Sequence, residues 1–118
     1  MPPISEWWLF VHTDTFDEDW TAEGLTDNDM LRLERVLVED PHAGDVIVGT
    51  GGLRKLRFAP EGAGKSGGVR VCYAFFPDHG VVLLLLVYGK SAKKDLTPAE
   101  KKYFRHLLKQ FAKALDAG

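Results

Sequence analysis

The chain has a single cysteine, Cys72, in 118 residues. That excludes an internal disulfide framework and any cysteine-based zinc cluster. Long hydrophobic runs are also missing. The longest, Val81-Val82-Leu83-Leu84-Leu85-Leu86-Val87, is too short to span a bilayer. The first residues, Met1-Pro2-Pro3-Ile4-Ser5-Glu6, lack the basic region of a targeting peptide. The expectation is a cytoplasmic protein in a reducing compartment, with no membrane partner. Histidines number 4 and none has metal-ligand spacing: His12, His42, His79 and His106 read as surface residues. No metal or cofactor is expected.

Basic residues are scarce in one half only. Residues 1–50 carry 2 Lys+Arg against 12 Asp+Glu, whereas residues 51–118 carry 13 against 5. The net charge of -2 hides this asymmetry. A basic half of that size attracts a polyanion, of which nucleic acid is the commonest, unless the acidic half neutralises it on folding. Apolar residues make up 45% and charged residues 27%, the balance of one ordinary globular domain over residues 1–118. A chain of this length buries enough surface to fold without a staple.

Trp7-Trp8-Leu9-Phe10-Val11 reads as a first strand, and residues 14–23 as an acidic loop or short helix. Thr26 is placed as an N-cap, followed by acids in the first turn. Met30, Leu33, Val36 and Leu37 then recur at helical spacing, and Pro41 stops the helix. After a loop around Gly44, strands are expected over residues 52–59, 69–76 and 81–90. The short turn Pro77-Asp78-His79-Gly80 joins the last two as an antiparallel hairpin. The last strand is apolar on both faces, which argues for a central place in the sheet. Thr97-Pro98-Ala99-Glu100 is a capping box with proline at the first helical position. In the helix it opens, Phe104, Leu107, Leu108, Phe111 and Leu115 form the buried stripe, and Lys102, Arg105, Lys109 and Lys113 read as a solvated face.

The glycine motifs fail on context. Gly62-Ala63-Gly64-Lys65-Ser66-Gly67 satisfies G-x-G-x-x-G, and Gly64-Lys65-Ser66 mimics the end of a P-loop. Both need a helix N-terminus directly afterwards to hold phosphate, and here a strand follows. The segment reads as a basic hairpin loop in which Lys65 can meet a phosphate. Ser66 lacks a G-x-S-x-G setting, and Cys72 reads as a small buried hydrophobe in mid-strand.

Strand alternation carries more information. Lys55 and Arg57 share one face of their strand, Arg70 and Cys72 one face of the next, and Leu86, Tyr88 and Lys90 one face of the last. Three neighbouring strands can then gather Lys55, Arg57, Arg70, Tyr88 and Lys90. A core would not hold such a group of cations, because each unpaired buried charge is costly. The patch should be wet and should hold an anion, unless carboxylates of the acidic half pair with it. On simple alternation Tyr73 points away from Arg70, into the core unless a bulge moves it.

The runs Gly44-Asp45-Val46-Ile47 and Gly49-Thr50-Gly51-Gly52-Leu53-Arg54-Lys55-Leu56-Arg57 resemble the HigB branch of the RelE/ParE toxin superfamily. So do Gly64-Lys65-Ser66-Gly67-Gly68-Val69-Arg70-Val71-Cys72-Tyr73, Val87-Tyr88-Gly89-Lys90 and Asp95-Leu96-Thr97. The resemblance covers residues 26–115. It implies a compact α+β fold: a small, mainly antiparallel sheet with N-terminal helices and a C-terminal helix. It implies the toxin of a type II toxin–antitoxin pair, a metal-free, ribosome-dependent endoribonuclease that cuts messenger RNA. The implied partners are the ribosome, the message and a cognate antitoxin with a helix-turn-helix domain; the toxin is a monomer when free and part of a larger complex with its antitoxin.

Such an enzyme needs to deprotonate the RNA 2′-hydroxyl, stabilise the pentacoordinate phosphate and protonate the leaving oxygen. Lys55 is the expected general base or proton relay, although its ordinary pKa of about 10.4 must be moved by neighbouring charge or burial. Arg57 and Arg70 suit the phosphate, because a guanidinium offers two parallel donors. Tyr88 is the expected acid or base-stacking platform. Arg54, Lys65, Tyr73 and Lys90 are expected to contact RNA. The alternatives are a ParE-like, non-enzymatic gyrase inhibitor on the same fold, and a phage-derived RNA- or protein-binding regulator without toxicity.

Overall fold

A computed structural model describes residues 8–60, 68–89 and 95–118. The elements run β1 (Leu9–His12), α1 (Asp14–Ala22), α2 (Asp27–Glu39), β2 (Asp45–Val46), β3 (Arg54–Phe58), β4 (Val69–Phe76), β5 (Val81–Gly89) and α3 (Pro98–Ala117). The protein is α+β. Its 5-stranded sheet has the order β1-β5-β4-β3-β2; β1 runs parallel to β5 and every other pair is antiparallel.

The helices start where side chains satisfy the unpaired amides of the first turn. Thr97 and Glu100 form the expected capping box on α3, with Pro98 at its start. Thr26 and Asp29 do the same for α2. The acidic stretch after β1 is helical: Thr13 caps α1, and Phe16 and Trp20, one turn apart, are buried. Val36, placed on the buried face of α2 by its spacing, is 38% exposed, and Val38 is buried in its place. Helix α2 ends at Glu39, two residues before Pro41.

The sheet has a core on each face. On one lie Phe16, Trp20, Leu33, Leu37, Phe58, Val71, Tyr73, Val82 and Leu84, beneath α1 and α2. Phe16, Trp20 and Phe58 are stacked there, with centroids 5.6 and 6.0 Å apart, and the Arg32 guanidinium lies 5.3 Å from the Phe58 ring. On the other face Leu53, Cys72, Ala74, Leu83 and Leu85 pack under Phe104 and Leu108 of α3. Burying one Leu- or Phe-sized side chain contributes roughly 1.5–3 kcal/mol, so both helical layers are needed. Strand β5 is interior and covered on both sides, as its apolar run predicts, although β4 holds the middle position. The short edge strand β2 and the parallel β1–β5 pairing have no counterpart in the sequence reading.

The β4–β5 ladder is irregular between Cys72 and Tyr73. Cys72 pairs with Leu86 and Tyr73 with Leu84, so Leu85 is the extra residue of a β-bulge. Its effect is a change of parity along β5. Leu83 and Leu85 face α3, and after the bulge so do Leu86 and Tyr88, while Val82, Leu84 and Val87 face the opposite core. Among the described residues no helix is long and apolar enough to cross a membrane.

Candidate functional site: a cation row on the sheet

Arg57 of β3 stands opposite Arg70 of β4, and Arg70 opposite Tyr88 of β5. These three residues form one row across the sheet. The next row is Asp45–Lys55–Cys72–Leu86, from β2 to β5. Paired residues share a face, as do positions two apart along a regular strand. Lys55, Arg57, Arg70 and Tyr88 therefore gather on the α3 side of the sheet. Arg57 is exposed, and Lys55, Arg70 and Tyr88 are half-buried.

The ion pairs formed among the described residues lie elsewhere. They include His12–Asp17 at 2.8 Å, Arg32–Asp29 at 3.5 Å and His79–Asp116 at 2.8 Å. Among the described residues no carboxylate lies within ion-pair distance of Lys55, Arg57 or Arg70. The acidic segment instead forms α1 and the first turn of α2, whose buried side chains pack on the opposite face of the sheet. Asp45 is the exception in placement: the β2–β3 register sets it opposite Lys55. It was not a sequence candidate, although it lies in the Gly44-Asp45-Val46-Ile47 run. Its position follows from β2, which the residue pattern does not reveal.

Tyr88 is pushed up to about 12, first by burial and then by the adjacent Cys72 thiol, with Asp95 adding to the rise and the Arg70 charge opposing it. The phenol is a hydrogen-bond donor throughout the neutral range. That suits it to hand a proton to a leaving oxygen and not to serve as a base.

Two expected RNA contacts are structural. Tyr73 is fully buried: its hydroxyl donates to the Pro41 carbonyl at 2.8 Å and accepts the Gly44 amide at 2.9 Å. The bulge moves its neighbour on β5 and leaves Tyr73 in the core, where no base can stack on it. Arg54 points to that same side, and its guanidinium donates to the carbonyls of Gly44 at 2.8 Å and His42 at 3.4 Å. Tyr73 and Arg54 thus clamp residues 41–44 and set the start of β2. Lys65, Lys90 and the glycine-rich residues 61–67 lie outside the described residues, as does Trp7.

The Gly49-Thr50-Gly51-Gly52 run is likewise a scaffold. Thr50 is fully buried; its hydroxyl donates to the Ile47 carbonyl at 2.6 Å and accepts the Leu53 amide at 3.1 Å. Gly49, Gly51 and Gly52 have φ of 87°, 74° and 118°, a region that favours glycine. Arg105, expected on a solvated helix face, donates to the Gly49 carbonyl at 3.0 Å and ties α3 to this turn. The turn delivers β3 in the register that puts Lys55 and Arg57 on the cation row.

Among the described residues no group of three or more His, Cys, Asp or Glu side chains could hold a metal ion. A groove of 230 Å³ adjoins the row, between β5, α3 and the start of α1. No protein-family model matches the chain.

Proposed function

We propose that this protein is a HigB-type toxin of the RelE/ParE superfamily, a ribosome-dependent endoribonuclease that cuts messenger RNA in the cytoplasm and is held inactive by a helix-turn-helix antitoxin. The observation that carries the reading is the Arg57–Arg70–Tyr88 row, which puts two guanidinium groups and a protonated phenol side by side, with Lys55 two residues along β3. Two guanidiniums on one phosphate neutralise the charge that grows in the pentacoordinate transition state. The substrate supplies its own nucleophile, the 2′-hydroxyl. Lys55 takes or relays its proton, and Asp45, directly opposite, is a second acceptor. Tyr88 donates to the departing 5′-oxygen. With no histidine in the row, the ribosome must orient the RNA.

The test is incubation with translating ribosomes, followed by mapping of message ends. Cuts within codons are expected from the wild type. Removing a preorganised donor typically costs 10²–10³-fold in rate, so Arg70→Ala should lose about that much while remaining folded. Asp45→Asn and Lys55→Met separate the two proton acceptors. Full cleavage by a folded Arg70→Ala overturns the assignment. Intact messages combined with inhibited gyrase supercoiling would identify the non-enzymatic alternative.

A further inference from the structure

The groove beside the cation row has no part in the chemistry above. Its floor is Leu85, Leu86, Phe104 and Leu107; Thr13 and Thr15 form one wall, and Tyr103 the other. Tyr103 is 60% exposed, yet its ring is held edge-on against Phe104 at 5.3 Å. An exposed aromatic ring, fixed at the lip of an apolar floor, is a stacking platform.

We propose that this groove receives one nucleobase of the RNA whose phosphate lies on Arg57 and Arg70, with the base stacked on Tyr103. The inference rests on the function proposed above and adds a base subsite to it. Three observations select this occupant. The groove is continuous with the cation row, because Leu86 in its floor lies two residues before Tyr88 on β5, roughly 6.7 Å along the strand. Its volume of 230 Å³ falls below the 300–1,000 Å³ typical of drug-sized ligands, so it fits a single ring system and not a helix. The charge pattern orients the nucleotide: Asp14, between Thr13 and Thr15 at the start of α1, flanks the threonine wall and repels phosphate, while the cations lie on the Tyr88 side. The Thr13 hydroxyl already donates to the Leu85 carbonyl and accepts the Phe16 amide, so Thr15 is the hydroxyl offered to a base edge.

The test uses a single-stranded RNA hexamer, 2′-O-methylated to prevent cleavage, and a set of the same hexamers each with one abasic position. Stacking on one aromatic ring is worth about tenfold in affinity. Tyr103→Ala should lose about that factor on the full hexamer, and Tyr103→Phe should retain it. One abasic hexamer should bind the wild type about tenfold more weakly and show no further loss with Tyr103→Ala, the non-additivity expected of two groups in contact. Wild-type affinity in Tyr103→Ala, or an equal loss on every abasic hexamer, overturns the groove assignment. If Arg70→Ala still weakens binding in that case, the cation site stands and only the base subsite falls. An unaffected Arg70→Ala overturns both, whereas a wild type that binds no hexamer overturns the groove assignment and leaves the cation row to be judged by cleavage on translating ribosomes.

Discussion

Arg57 and Arg70 are directly opposed across the β3–β4 ladder, a pair of like charges with no carboxylate among the described residues to separate them. Like charges at opposed positions destabilise a sheet by a few tenths of a kcal/mol or more. A fold would not retain that arrangement for its own stability, and a bound phosphate removes the repulsion.

Replacing one member of the pair should therefore separate stability from activity. Arg57→Thr is expected to raise the thermal midpoint by about 2 °C, the scale of roughly 0.5 kcal/mol in a small domain. The same variant should lose messenger cleavage. Differential scanning calorimetry beside the ribosome assay reads both, and a lower midpoint with unchanged cleavage would contradict the pairing.

The row should also set the salt dependence of RNA binding. Each phosphate contact on a single strand contributes about 0.7 to the slope of log affinity against log salt concentration. Because Arg57 and Arg70 share one phosphate, the double variant Arg57→Ala, Arg70→Ala is expected to flatten that slope by about 0.7. Replacing Lys113, near the far end of α3, should leave it unchanged.

Tyr88 predicts an alkaline limit to stability. Its phenol titrates near 12 in the fold, against about 10 in an unfolded chain. Above pH 10 the unfolded state sheds its proton first, so the folded state binds more protons and stability falls as pH rises. The contribution is intact below pH 10 and is lost as pH climbs toward 12. Tyr73 is shifted in the same direction, chiefly by burial. Urea unfolding from pH 8 to 11 should show the decline, and Tyr88→Phe should reduce its slope.

The Tyr73 hydroxyl holds the turn before β2 from both sides, through the Pro41 carbonyl and the Gly44 amide. Tyr73→Phe strands the Gly44 amide and the Pro41 carbonyl and should cost about 2–3 kcal/mol by urea unfolding. Gly44→Ala should cost about 1–3 kcal/mol, because a Cβ there would lie 2.9 Å from Tyr73 Cε1 and 3.0 Å from the Lys55 carbonyl oxygen. Gly44, Arg54 and Tyr73 are thus joined in one backbone clamp.

Local pattern by itself determined the parts of this protein that depend on neighbours in sequence. Thr97-Pro98-Ala99-Glu100 specifies a helix start through side chains three residues apart, and Thr26 does so for α2. Alternation put Lys55 and Arg57, and then Arg70 and Cys72, on matching faces, because successive side chains of a regular strand point opposite ways. Tertiary structure alone decided what depends on distant partners. Phe16 and Trp20 make α1 a helix by docking on the sheet, where the acidic pattern alone leaves a loop and a short helix both open. β1 finds β5 in a parallel pairing across some seventy residues of chain, and β2 brings Asp45 to Lys55 next to the turn that Arg54 and Tyr73 hold. The bulge at Leu85 is the sharpest case. Continuous alternation from Leu83 would turn Tyr88 toward the opposite core, and one extra residue, accommodated only when β4 and β5 are packed together, returns it to Arg70.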